Sequence, residues 1–173
     1  TEILEAAARD DALAFPSALP VRRESDHAAW VTIQIGCDNN CAFCIVPAVR
    51  GPEVSRPFDQ LVGEVAALAR QGISEVTLLG QNVNSYGRDL AIAARRAGDD
   101  VRLRPMFADL LRTIGDVDGI QRIRYTSPHP KDMQLDVAEA MAETAAVCEH
   151  LHMPLQSGSD RVLSLMHRGY NAE

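Results

Sequence analysis

Three of the chain's four cysteines stand in one short stretch, "GCDNNCAFC", which runs from Gly36 to Cys44. Cys37, Cys41 and Cys44 are spaced C-x3-C-x2-C, while Cys148 lies far downstream. Thiolates select soft metals, zinc and iron–sulfur clusters above all. Three in one loop among polar Asp38, Asn39 and Asn40 do not read as buried small hydrophobes. A structural zinc takes four ligands, so the zinc reading must recruit His129 or His152 from elsewhere. A cubane iron–sulfur cluster is normally held by four thiolates. Three thiolates leave one iron open to an outside ligand, much as a catalytic zinc keeps a position for substrate. An electron carrier has no use for such an opening. An enzyme does.

The elements that must carry this loop follow from pattern. "WVTIQIG", Trp30–Gly36, is β-branched and alternating, which predicts a strand running straight into the cysteines. "SRPFDQLVGEVAALARQG" places Leu61, Val65 and Leu68 on one helical face and stops at Gly72. "SEVTLLG" predicts a buried strand, followed by the polar loop "QNVNSYGRD" and an Arg- and Asp-containing insertion to about Arg104. A second helix over 105–114 carries Phe107, Leu110, Leu111 and Ile114. "IQRIRYTS" predicts a third strand, "KDMQLDVAEAMAET" a third helix, "EHLHMPLQSG" a fourth strand and "SDRVLSLMHRG" a fourth helix.

Strands alternating with helices at this spacing imply an α/β fold of βα units around a parallel sheet. About four units are too few for an eight-stranded closed barrel, so the expectation is a partial, truncated TIM-like β/α barrel. Chemistry in such folds gathers at the C-terminal ends of the strands. "GCDNNCAFC", "GQNVNSYG", "TSPHP" and "PLQSGS" all fall there.

Charge and composition set the outer limits. Seventeen basic residues against 24 acidic ones give a net charge of −7, which argues against a broad electrostatic grip on nucleic acid. No run of about 18 apolar residues suggests a membrane span, and no leader pattern is visible, so the expected location is cytoplasmic. Thiols stay reduced there, and clustered cysteines mean metal or redox chemistry.

The cysteine loop resembles the signature of the radical S-adenosylmethionine (SAM) superfamily, which includes an aromatic before the last cysteine, here Phe43. "IVPAVRGPEVSRP", "LLGQNVNSYG" and "HMPLQSGSDRVLSLMHRGY" narrow the likeness to the methylthiotransferases, of the type acting on N6-dimethylallyladenosine in tRNA. The likeness spans roughly Trp30 to Tyr170, apart from an insertion over 91–102. Ile35 departs from it, standing where the family often has an acidic residue.

The resemblance implies a 4Fe–4S cluster on Cys37, Cys41 and Cys44, with the open iron chelating SAM. It also implies reductive cleavage of the sulfonium to methionine and a 5′-deoxyadenosyl radical. Phe43, Gly80, Gln81, Ser127, Gln156 and Arg168 become the candidate SAM-binding residues. Gln156 and Arg168 are similar to a pair that serves the ribose and the SAM carboxylate, and a guanidinium suits a carboxylate bidentately. Gly80 and Gln81 read equally as a strand-to-loop turn, and Arg168 as a cation at a helix C-terminus. Of His150 and His152, one is expected to face inward, and Cys148 to be a buried structural thiol.

The implied partners are tRNA and a reductant protein such as flavodoxin or ferredoxin. The expected organisation is a lead-in segment over 1–29 and a radical SAM core over 30–173. The family's N-terminal auxiliary-cluster domain and C-terminal RNA-binding domain are not recognisable in these residues. Related methylthiotransferases that act on threonylcarbamoyl-adenosine or on a ribosomal-protein aspartate, and a zinc-stabilised binding module, are the alternatives.

Overall fold

The computed structural model describes residues 25–172. Most of the lead-in expected over 1–29 lies outside the described residues, but Ala28 and Ala29 already belong to the first strand. In chain order come β1 (Ala28–Thr32), β2 (Gln34–Ile35), a short α1 (Val46–Arg50), β3 (Val54–Ser55), α2 (Phe58–Arg70) and β4 (Glu75–Leu79). After these follow α3 (Arg88–Ala97), α4 (Phe107–Gly115), β5 (Arg122–Tyr125), α5 (Leu135–Glu143) and α6 (Asp160–Leu165). β1, β4 and β5 form a parallel sheet in that order. The α/β class with parallel strands is as expected.

One face of the sheet is the core. Val31, Val76, Leu78 and Ile123 pack there with Leu61, Val65 and Leu68 of α2 and with Phe107, Leu110, Leu111 and Ile114 of α4, all fully buried. Each such side chain contributes about 1.5–3 kcal/mol on burial. α4 packs against both α2 and α5. On the opposite face, Trp30, Thr77 and Arg124 form one cross-strand row, and Trp30 is 73% exposed. That row is where a closed barrel would face its own interior. Here it is open.

Three elements differ from the sequence expectation. The strand expected over 30–36 is broken at Ile33, because the chain changes partner. Ile33 N still donates to Leu79 O of β4, while its carbonyl accepts from Arg56 N, and β2 then pairs antiparallel with β3. The polar insertion contains α3, held between Gly87 and Gly98, both in the left-handed region. Among its residues only Ala91 is buried, so there was no apolar stripe to find. The fourth strand expected over 149–158 does not form, and the nearest pairing is a single parallel bridge just before it, Ile123 with Val147. Neither His150 nor His152 faces inward, since both are exposed, and Cys148 is only half-buried. Without an apolar face to bury, alternation in "EHLHMPLQSG" has nothing to hold it in a sheet, and Pro154 lacks a ladder donor.

Candidate functional site

The cysteine loop leaves the sheet at Gly36, whose φ of +73° and surroundings both require glycine. A Cβ there would lie 1.9 Å from the Pro52 carbonyl oxygen. This close approach lets Cys37 N donate to Gly51 O at 3.2 Å, and Asp38 Oδ1 accepts from Glu53 N at 2.9 Å. The loop is thereby closed at its neck, with β2 and β3 beneath it. Cys37 is buried, Cys41 half-buried and Cys44 exposed, and none is in a disulfide. Burial pushes the Cys37 thiol up, against the lowering effect of a hydrogen bond from Asn39 N. Phe43, the aromatic of the motif, is 99% exposed and covers nothing.

The far side of the loop is tied to the end of α6. Ala42 N donates to Met166 O at 3.1 Å, and Arg168 Nη1 donates to Cys41 Sγ at 3.2 Å. The chain's end therefore helps shape the cysteine loop, although 127 residues separate Arg168 from Cys41.

The loops after β4 and β5 are locked to each other through buried polar groups, of which sequence reading did not single out Asn84, Arg88 or Asp132. Asn84, with no exposed surface, clamps the His129 backbone from both sides. Its Nδ2 donates to His129 O at 2.9 Å and its Oδ1 accepts from His129 N at 2.8 Å. Asn82 Nδ2 and Arg88 Nη2 both donate to the buried Asp132 carboxylate, at 2.7 and 2.6 Å. The neighbouring Lys131 Nζ donates to Asn39 Oδ1, reaching the cysteine loop. One polar network thus spans all three loops. Its signal in the sequence was the density of Asn in "QNVNSYG" and the Lys–Asp pair after "SPHP", but partners some 45 residues apart show only in three dimensions.

The expected cofactor residues divide into two groups. Gly80 is buried against Gln34, and a Cβ there would sit 2.8 Å from Gln34 Cγ. Gln81, Ser127 and Gln156 are exposed. Ser127 and Gln156 both hold positive φ, 60° and 68°, which costs a non-glycine residue on the order of 1–3 kcal/mol. His129 is buried, with Nδ1 accepting from Lys131 N, so its proton sits on Nε2, which has no partner. Burial, helped by the charge of Arg168, lowers its pKa to about 4 and keeps it neutral.

Among the described residues no three His, Cys, Asp or Glu side chains close around a single point as one metal ion requires. Three free thiols on one loop remain, a donor set that suits a cluster whose irons are distributed over several corners.

Glu53 carries a pH dependence of its own. It is buried beneath the cysteine loop, and the Ser85 hydroxyl lies 2.5 Å from its Oε2 and 2.7 Å from Asn82 O. One hydroxyl proton cannot serve both oxygens. A protonated Glu53 resolves this by donating to Ser85, which then donates to Asn82 O. Burial pushes the Glu53 pKa from 4.5 up to about 7; Asp38 and Asp89 add to the rise, and the Ser85 bond and Arg88 oppose it. The folded state then binds a proton more tightly than the unfolded one, so stability falls as pH rises from about 4.5 to 7. In the iron-free protein, Glu53→Gln should flatten that slope and raise stability at pH 8 by about 1–3 kcal/mol. Urea unfolding at several pH values measures it, and a slope unchanged by the substitution would count against the assignment.

The chain is similar in sequence to proteins of known name. The tRNA-2-methylthio-N(6)-dimethylallyladenosine synthase of Mycobacterium leprae is 57% identical over 92% of this chain and 30% of its own length. The synthase of the same name from Rhodococcus jostii is 56% identical over 98% of this chain and 32% of its own. The chain thus spans about a third of the length of these relatives. A solved radical SAM methyltransferase, TsrM from Kitasatospora setae, superposes with a TM-score of 0.41 at 20% identity, covering 76% of this chain and 34% of that one. The family model of the radical SAM superfamily matches residues 31–173, from β1 through the cysteine loop to the end of the chain, and the chain belongs to that superfamily.

Proposed function

We propose that this chain is the radical SAM core of a tRNA methylthiotransferase, acting at C2 of N6-dimethylallyladenosine beside the anticodon. The observation that carries the reading is its 57% identity, over 92% of its length, to a synthase named for that product. Cys37, Cys41 and Cys44 would hold a 4Fe–4S cluster, the cofactor the resemblance implies. When bound with SAM and reduced, the cluster supplies one electron for cleavage of the sulfonium, giving methionine and a 5′-deoxyadenosyl radical.

The residues present suit that cofactor pair. The loop offers three thiols and no fourth ligand, which leaves a place for SAM. Gly80, packed against Gln34 and Val83, lets the chain turn closely at the end of β4 and so positions the backbone of the following loop. Gln81, Ser127 and Gln156 are exposed, with polar groups available to SAM, the last two in strained backbone of the kind held at ligand sites. The Arg168 guanidinium has a buried Nε without a partner, a donor suited to the SAM carboxylate. Phe43 is free to cover a bound cofactor. Transfer RNA is the proposed substrate, and a small reductant such as a flavodoxin or ferredoxin the proposed electron donor. The cytoplasm is the corresponding location, and no helix among the described residues is long and apolar enough to cross a membrane.

Two measurements test this. Reconstituted anaerobically, reduced and given SAM, the protein should release 5′-deoxyadenosine and methionine; an iron-loaded protein that leaves SAM intact would refute the radical SAM chemistry. Deleting the gene that encodes the chain should remove the 2-methylthio group from N6-dimethylallyladenosine in cellular tRNA, read by nucleoside mass spectrometry. Loss from threonylcarbamoyl-adenosine instead would move the substrate.

A further inference from the structure

The loop's middle thiol has an unusual partner. Arg168 Nη1 donates to Cys41 Sγ at 3.2 Å, so a cation sits directly on the sulfur of one proposed cluster ligand. Several features aim it there. α6 ends with a left-handed residue at His167, φ +54°, and Arg168 N closes the turn on Leu163 O at 3.0 Å. That is a helix stop normally made by glycine, here carrying the strain of a non-glycine side chain. Gly169 follows, also at positive φ, packed against Lys131. The backbone on either side is pinned, because Met166 O accepts from Ala42 N of the cysteine loop. The guanidinium is half-buried with its Nε out of water and is also hydrogen-bonded to the Tyr170 side chain, which holds it in place; the lowered local dielectric strengthens the bond to Cys41.

We infer that Arg168 is a positioning and tuning residue for the cluster itself: its Nη1–H···Sγ bond to Cys41 raises the cluster's reduction potential. The inference rests on the radical SAM reading above. A hydrogen-bonded positive charge stabilises a sulfur ligand more as the cluster gains an electron, and bonds to the sulfurs are among the factors that set iron–sulfur potentials. The arrangement eases electron entry from the reductant. It also holds the loop closed against α6 before any cofactor arrives. This role is separate from pairing with the SAM carboxylate, which acts only when SAM is bound.

The test is the midpoint potential of the reconstituted cluster without SAM, followed by electron paramagnetic resonance in a redox titration. Arg168→Gln should leave iron and sulfide content unchanged and make reduction about tenfold less favourable, a shift of about 59 mV to more negative potential. Arg168→Lys keeps the charge but loses the planar fork, and should shift by about threefold, roughly 28 mV in the same direction. Where the Gln variant binds too little iron to titrate, the Lys variant decides. An unchanged potential in the deciding variant, with its cluster intact, overturns the inference, whatever happens to SAM affinity. A wild-type protein that takes up no iron–sulfur cluster defeats the radical SAM reading instead.

Discussion

Alanine at Cys37, Cys41 or Cys44 should each abolish the brown colour of the reconstituted protein, together with its bound iron and acid-labile sulfide. The same change at Cys148 should leave all three in place. Removing one of three thiolates leaves an iron without a protein ligand, and cluster binding is coupled to the ordering of its loop. The loss should therefore be near complete rather than graded by exposure, even though Cys37 is buried and Cys44 is open to solvent. Cys148 lies at the opposite end of β5, where its N–H donates to Ile123 O at 3.0 Å. That bond uses backbone only, so Cys148→Ala costs little more than part of a half-buried side chain, about 1 kcal/mol or less. Iron and sulfide analysis with the visible spectrum reads the outcome. A colourless Cys148→Ala protein, or a brown one lacking any of the loop cysteines, would show that the ligand set is drawn wrongly.

The second large effect belongs to a residue with no role in the reaction. Asn84→Ala removes both bonds to the His129 backbone; the His129 C=O keeps its bond from Asp132 N at 3.0 Å, but the buried N–H is left unmet. Each unmet buried group costs about 1–3 kcal/mol, and the lost side chain leaves a cavity. Together these should reach about 2–4 kcal/mol, or on the order of 10 °C in melting temperature for a domain of this size. Asn84→Asp keeps the acceptor for His129 N but puts a carboxylate where no surface is exposed, and should cost at least as much as alanine at neutral pH and less as the pH falls. Differential scanning calorimetry of the iron-free proteins separates the two. If Asn84→Ala melts within about 2 °C of the parent, the clamp does not hold the loop after β5.

The sequence by itself determined the class of the fold and singled out the cysteine loop proposed to hold the metal. The apolar stripes at Leu61, Val65 and Leu68, and at Phe107, Leu110, Leu111 and Ile114, are local periodicities, and a helix follows directly from local periodicity. The cysteine spacing is local too, and a thiol's preference for iron and zinc needs no tertiary context. What only the tertiary structure decided is how the loops are joined. The partner change at Ile33 is a competition between β4 and β3, separated from it in the chain, and the loss of the expected fourth strand reflects burial that alternation alone cannot guarantee. Asn84 on His129, Asn82 and Arg88 on Asp132, and Arg168 on Cys41 are contacts between side chains brought together from distant parts of the chain. Taken singly, those residues read as turn formers, surface charges or helix ends. Their significance comes from burial, which removes the competing water, so that each polar group must find a partner in the protein. Where that partner stands depends on the whole fold, and no short stretch of the chain contains that information.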